Sequence, residues 1–274
     1  MADVNEPIVS FTAPPVVEVV AGVAFDGVDA ELGPLLGAFW KEQLRETFPV
    51  LEQQPPYSPP MEQFPISRSS ADPFEISTTY PPARLWAKSV DGQQILQLQP
   101  GYFACNWRRV RPSDDYDRWP RRRNEFERWF SSLCEFLATE GTGQPKITQC
   151  EVTYINHIRG GGAWSDHSQF DKIFTLNLDV SNVGDFEQAI VQVDSVLKNE
   201  FGQPTGRLHL KILPAFARDG KTPLYVFELT ARGAPRGDGL PGALSFLNEG
   251  RKAIDLAFVA ATSPLMHREW GRQA

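Results

Sequence analysis

Long hydrophobic runs are missing from this chain. No apolar stretch approaches the ~18–20 residues that cross a bilayer, so no membrane span is expected. The first residues, Met1-Ala-Asp-Val-Asn-Glu, have neither the positive charge nor the apolar centre of a secretory leader. Cysteine is scarce. Cys105, Cys134 and Cys150 are an odd number without short spacing. That excludes a disulfide framework and a zinc ribbon, and points to buried free thiols in a reducing cytoplasm. Basic excess is missing as well. The 274 residues hold 27 Lys and Arg against 34 Asp and Glu, a net charge of -7, which argues against a globally basic nucleic-acid binder. Neither glycine-rich string, Arg159–Trp164 or Arg236–Gly242, matches a phosphate loop or a dinucleotide fingerprint. No cofactor and no metal is expected.

Hydrophobic residues make up 41% of the chain, enough for a sizeable core and too many for general disorder. The charge is uneven. Residues 1–60 hold nine acids and two bases, which is the whole net charge, and the remainder sums to zero. Proline is abundant, at 23 residues, and eight of these lie between Pro55 and Pro82. Proline fixes φ and lacks an N–H, so residues 52–82 cannot form a helix or a central strand. They read as an ordered connector draped over the domain.

The β-branched run Val16–Phe25 predicts a strand. Leu32, Leu35, Leu36, Phe39, Trp40 and Leu44 recur at helical spacing up to Pro49. Arg84–Ser89 and Gln94–Gln99 flank Asp91-Gly92, which suggests a hairpin with a type I′ turn. Tyr102–Arg108 continues as a strand with Phe103, Cys105 and Trp107 on one face. A helix starting near Pro120 buries Phe126, Trp129, Phe130, Leu133, Phe136 and Leu137, and Gly141 stops it. Ile147–Ile158 alternates as a long strand, and 174–180 alternates in the same way. Residues 189–198 fit a strand better than a helix. Gly206–Leu213 and Pro223–Arg232 flank a second Asp-Gly, at Asp219-Gly220. A last helix carries Leu244, Leu247, Ile254, Phe258 and Ala261, and Ser263-Pro264 caps a short terminal helix that Gly271 ends.

The expected fold class is therefore α+β: mainly antiparallel sheet with long helices on one face. The pattern suggests a degenerate tandem repeat of two strand–crossover–hairpin–helix units, with the loop 159–172 replacing a helical crossover in the second. The halves would be 1–145 and 146–274, as two parts or one continuous domain.

Four strings, Gln94–Arg109, Ile147–Ile158, Gly206–Phe216 and Ala257–Gly271, resemble a sporadically distributed family of bacterial proteins of unknown function. The resemblance runs from about Pro14 to Gly271. It implies no catalytic residues. Patchy occurrence implies mobile genetic cargo, such as a defence-type or toxin–antitoxin system.

Three groups of residues are candidates for chemistry. Trp107, Arg108, Arg109, Trp119, Arg121, Arg122 and Arg123 lie in an arginine-dense segment interleaved with aromatics. Guanidinium groups match phosphate oxygens and aromatic faces stack on bases, so a nucleotide or single-stranded nucleic acid is one reading. Five acids in the same segment favour a solvated helix start. Three consecutive arginines, however, are too many to pair locally. The acidic N-terminal part either covers this patch or leaves it for an anionic ligand. Glu151, His157, Asp166 and His167 form the second group, a histidine base beside carboxylates, which would make a hydrolase. The third is a polar sheet face bearing Gln97, Gln99, Arg207, His209 and Lys211, a ligand floor if the two hairpins are neighbours. The leading expectation is a cytoplasmic, non-enzymatic binding protein with a protein partner or a second copy of itself, one piece of a bacterial multi-protein system.

Overall fold

The computed structural model describes residues 9–28, 32–65, 84–176 and 182–273. Nine strands form one antiparallel sheet: β1 (Val16–Asp26), β2 (Val50–Gln54), β3 (Arg84–Lys88), β4 (Gln94–Gln99), β5 (Tyr102–Arg108), β6 (Lys146–Arg159), β7 (Val191–Lys198), β8 (Pro204–Phe216) and β9 (Pro223–Gly233). Their order across the sheet is β2-β3-β4-β5-β1-β6-β9-β8-β7. The first strands of the two halves, β1 and β6, therefore pair at the centre, with Val20 opposite Thr153. Each half then grows outward from its own last strand. The α+β class expected from the sequence is observed.

The helices are α1 (Leu32–Phe39, continued by a π turn over Trp40–Leu44), α2 (Arg118–Thr139), α3 (Phe170–Ile173), α4 (Gly239–Ala261) and α5 (Pro264–Glu269). No helix among the described residues is long and apolar enough to cross a membrane. The sheet alternates with period two, and one face takes the apolar set. Val19, Ala21 and Val23 of β1, Phe103 and Trp107 of β5, Cys150 and Val152 of β6, and Phe227 and Leu229 of β9 are all buried on it. The long helices α2 and α4 cover that face. Phe126 and Phe130 of α2 pack against Phe103, with ring centroids 5.9 and 5.4 Å away. Close approach of α4 depends on missing side chains. A Cβ at Gly233 would stand 2.5 Å from a ring carbon of Phe246, and one at Gly250 would stand 2.9 Å from Val152 Cγ1.

The chain ends of the described body clasp each other. Thr12 N–H donates to the Gly271 carbonyl at 3.0 Å, Ala13 N–H to Trp270 at 3.0 Å, and Gln273 N–H to Ser10 at 2.8 Å. Phe11 sits behind this clasp against Phe258 and Trp270, at 5.7 and 5.9 Å.

Several expectations need correction. Neither Asp-Gly loop is a type I′ turn, which requires positive φ at both central residues. Arg118 is the one non-glycine residue with positive φ among the described residues. In each loop only the glycine is left-handed, with φ +71 at Gly92 and +66 at Gly220. Gly92 N–H bonds to Ser89 and Gly220 N–H to Ala217, a four-residue turn closed by glycine. The two Asp-Gly hairpins do not occupy equivalent places. The first joins β3 to β4, away from the centre, whereas the second joins β8 to β9, next to the central pair. Strands β5, β1, β6 and β9 separate β4 from β8, so the hairpins are not neighbours. The crossover 159–172 is not a plain loop; it contains a short 3-10 turn over His167–Gln169 and the start of α3. Of the strand expected over 174–180, Phe174 makes a single bridge to Thr262, Thr175 and Leu176 are not in a strand, and the rest lies outside the described residues. Of residues 189–198, Val191–Lys198 form a strand, β7, as the alternation suggested, and 189 and 190 precede it.

Candidate functional site

The second face of the sheet is polar and largely covered. Gln97, Gln99, Asn106, Gln149, Glu151, Thr153, Thr230 and Arg207 point to it and are buried. What covers it is the first part of the proline-rich segment, residues 55–65, which runs across the strands rather than along them. Prolines 55, 56, 59, 60 and 65 remove N–H groups, so this piece cannot extend a strand ladder. Several of its peptide groups are met by side chains instead. Tyr57 N–H donates to Gln99 Oε1 at 2.8 Å, and Gln99 Nε2 donates back to the Tyr57 carbonyl at 2.7 Å. Glu62 N–H donates to Gln149 Oε1 at 2.8 Å, and Gln149 Nε2 donates to the Pro60 carbonyl at 2.9 Å. A primary amide carries a donor and an acceptor side by side, so it can pair with a backbone as another peptide would.

The lengths agree with this path. Tyr57 to Phe64 in an extended polyproline-like form spans about 22 Å at ~3.1 Å per residue. Five strand spacings of ~4.8 Å, from β4 to β8, span about 24 Å.

At the β8 end the segment inserts an acid into a cationic socket. The Glu62 carboxylate bonds to Arg207, accepts from His209 Nε2 at 2.6 Å, and lies 3.6 Å from Arg232. His209 Nδ1 meets Asp194 Oδ1 of β7 at 2.7 Å, and Arg232 bonds to Glu151 of β6. Arg207 also donates to the Gln63 carbonyl at 3.0 Å and lies 4.7 Å from the centre of the Phe64 ring. The hydrogen bond to Glu62, helped by Asp194 and opposed by burial, raises the His209 pKa above the ordinary imidazole value. Burial opposes ionisation of Glu62. The His209 hydrogen bond and the charges of His209, Arg207 and Arg232 outweigh it, so the Glu62 pKa lies below the usual carboxylate value. The imidazole thus sits between two carboxylates, a placement that favours its protonated form.

Sequence reasoning chose Gln97, Gln99, Arg207, His209 and Lys211 on this face, and the strand registers put all five on it, Lys211 half-buried opposite Glu228 of β9. Gln97 works at one remove: its amide donates to Asn106 at 2.8 Å and accepts from Arg84 and Trp86 at 3.1 and 3.2 Å. It missed Gln149, Asp194, Arg232 and above all Glu62. The readable signal was that Glu62 is the single acid between Pro55 and Pro65.

The arginine segment is arranged differently from the expectation. Arg121 and Arg122 both bond to Asp117, at 3.1 and 2.7 Å, and Arg123 bonds to Glu127 at 2.8 Å, so all three consecutive arginines pair locally. Trp107 and Trp119 are buried in the core, and the Trp119 N–H is taken by Asn248 at 2.8 Å. Neither stands on the surface beside the arginines as a stacking face for a base. Among the described residues the acidic N-terminal part contributes one carboxylate here, Glu18, at 3.3 Å from Arg108. Arg109 makes a long contact of 3.4 Å to the Pro14 carbonyl.

The histidine–carboxylate group is not brought together. His157 and Glu151 share a face but lie six residues apart on β6, and Glu151 is committed to Arg232. Burial, with Arg159 nearby, lowers the His157 pKa. His167 lies in the short 3-10 turn of the crossover. It is buried, 3.1 Å from the Leu224 carbonyl and packed edge-on to Tyr225. Asp166 caps the following turn by accepting from Ser168 N–H at 2.9 Å. Among the described residues no group of three or more His, Cys, Asp or Glu side chains is placed to hold a metal ion. All three thiols are free, and burial raises their pKa values, to about 11 at Cys134 and about 12 at Cys150. Comparison with family models, with curated proteins and with solved structures finds no match for the chain.

Proposed function

We propose that the protein is a non-enzymatic binding module whose polar sheet face takes an extended peptide bearing an acidic side chain. Residues 55–65 are its resident occupant. A like segment, from a second copy or another component of a multi-protein assembly, exchanges with it. The observation that carries this reading is the paired use of Gln99 and Gln149. Each holds an N–H and a C=O of a strand-like chain that runs across the sheet, which is recognition of main chain, with the Glu62 socket adding a side-chain requirement. Main-chain hydrogen bonds supply affinity and side-chain pockets supply selectivity in peptide recognition generally.

A labelled peptide with the sequence of residues 54–65 tests the reading. It is titrated against the full chain carrying Glu62→Ala, in which the resident segment is weakened. We expect saturable binding, lost when the peptide itself has alanine at the Glu62 position or when Gln99 and Gln149 of the protein are both replaced by alanine. Release of the resident segment without capture of the peptide would remove the proposal.

A further inference from the structure

A second site lies on the opposite side of the sheet, between α4 and the strands it covers. It is a cavity of about 330 Å³, at the small end of the ~300–1,000 Å³ range of ligand pockets. Its walls are mainly apolar, with Val16, Leu229, Ile254 and Phe258 prominent, and Phe11 of the terminal clasp contributes to its lining. Besides Ser10, Asn156 and Trp119, the last two of which donate to groups outside it, the polar side chains on its lining form a set. The hydroxyls of Tyr116 and Tyr154 are 2.8 Å apart. In a hydroxyl pair one proton lies between the oxygens and the other is left to donate elsewhere. Arg251 pairs with Asp255 at 2.7 Å, one turn apart on α4. Burial raises the Asp255 pKa to about 6, despite Arg251.

Arg118 completes the set and is the unusual member. It stands at the first position of α2, exposed at the rim, with φ +69, the only non-glycine residue in left-handed backbone among the described residues. Such a conformation is costly for a side chain with a Cβ, and strained residues of this kind gather at binding sites. The turn directs the guanidinium across the Phe11 carbonyl, to which one nitrogen donates at 3.0 Å. No carboxylate pairs with it among the described residues, whereas Arg121 and Arg122, three and four positions on, share Asp117. Two guanidinium groups and one carboxyl therefore face this cavity, an excess of one positive charge over an apolar interior.

We infer that the cavity is a binding site for a small monocarboxylic acid with a hydrocarbon body. The apolar walls take the body, Arg118 pairs with the carboxylate at the rim, and the tyrosine pair supplies a neutral donor. An uncharged alcohol keeps the burial and loses the ion pair, and an amine meets a site of its own charge. The site is independent of the segment-binding face, since the sheet separates them.

The experiment uses the full chain at neutral pH and three probes of one shape: 3-phenylpropionate, 3-phenylpropanol and 3-phenylpropylamine, with octanoate and octanol as an aliphatic pair. Binding is followed by isothermal titration and by the shift in Tm. We expect each acid to bind at least tenfold more tightly than its alcohol, the amine to bind most weakly, and Arg118→Gln to erase the difference between acid and alcohol. Arg118 is on the surface, so this variant should fold, and its circular dichroism and Tm without ligand verify that. Ile254→Phe, which fills the cavity, should abolish binding of every probe while leaving peptide capture by the other face unchanged. The inference is overturned if no probe binds at millimolar concentration, if alcohol or amine binds as well as acid, or if Arg118→Gln leaves the preference for acid intact.

Discussion

Glu62 is nearly inaccessible, and three cationic groups surround it. Breaking such a buried pair by removing one partner typically costs about 3–5 kcal/mol, because the other charges stay behind uncompensated. Residues 55–65 belong to no strand ladder, so they can lift away and rehydrate the socket. Glu62→Gln is therefore expected to open this segment while the sheet stays folded. Hydrogen exchange would accelerate at Tyr57, Glu62 and Gln63 and remain slow in β1 and β6. The titration of the pair adds a second prediction. The raised His209 pKa gives a contribution that is complete below the free imidazole value of 6.5 and is lost as pH rises through the raised value. The lowered Glu62 pKa gives a contribution that is complete above 4.5 and is lost as pH falls through the lowered value. Docking is thus strongest between these two values. Protection factors of residues 57–63, corrected for intrinsic exchange, should fall as pH is raised beyond 6.5 through the raised His209 value, and His209→Asn should flatten that profile. His209 and Arg207 were legible in the sequence because they alternate with leucines. Glu62 was legible only as a lone acid among prolines, because its partner Arg207 stands 145 residues away and no local pattern reports so distant a closure.

Hydrogen bonding to glutamine decides how the proline-rich element lies. Each of Gln99 and Gln149 satisfies two backbone groups. Gln149→Ala should weaken docking by about 1–3 kcal/mol, the range for leaving buried polar groups unpaired, and limited proteolysis near Met61 would report it. On the other face the contact between α4 and the sheet depends on bare glycine. Gly233→Ala pushes a methyl into the Phe246 ring and into the Thr205 carbonyl 2.4 Å away. Overpacking of this kind costs typically ~1–3 kcal/mol, and a lowered denaturation midpoint at unchanged m-value is the expected sign. Most elements were legible, since period two and period 3.6 are strong over β6, β8, β9, α2 and α4. The turn type was not. Asp-Gly is compatible with both a two-residue and a four-residue hairpin, and the register of the flanking strands selects between them. Local pairing of Arg121, Arg122 and Arg123 was missed for a related reason: one carboxylate, Asp117, precedes the helix and serves two of them.

Strand order belongs to the whole molecule, and residue pattern does not encode it. Period two tells which face a side chain takes, not which strand lies beside which, so the central pairing of β1 with β6 and the separation of the two hairpins emerge only in the assembled sheet. The ladder between them runs from Val16 opposite Asn156 to Asp26 opposite Lys146. One half unfolding alone would expose that long edge and the apolar face beneath α2 and α4. Calorimetry should therefore show a single transition with matching calorimetric and van't Hoff enthalpies, and two resolved transitions would contradict a shared core. The clasp between Ser10–Ala13 and Trp270–Gln273 carries a different consequence. It brings the first and last described residues side by side, so the described body is close to a ring that has been cut at one point. The cut is movable in principle. A short Gly-Ser joint from Gln273 back to Val9, with new termini opened at the exposed Arg218–Gly220 turn, would give a circular permutant with the same sheet.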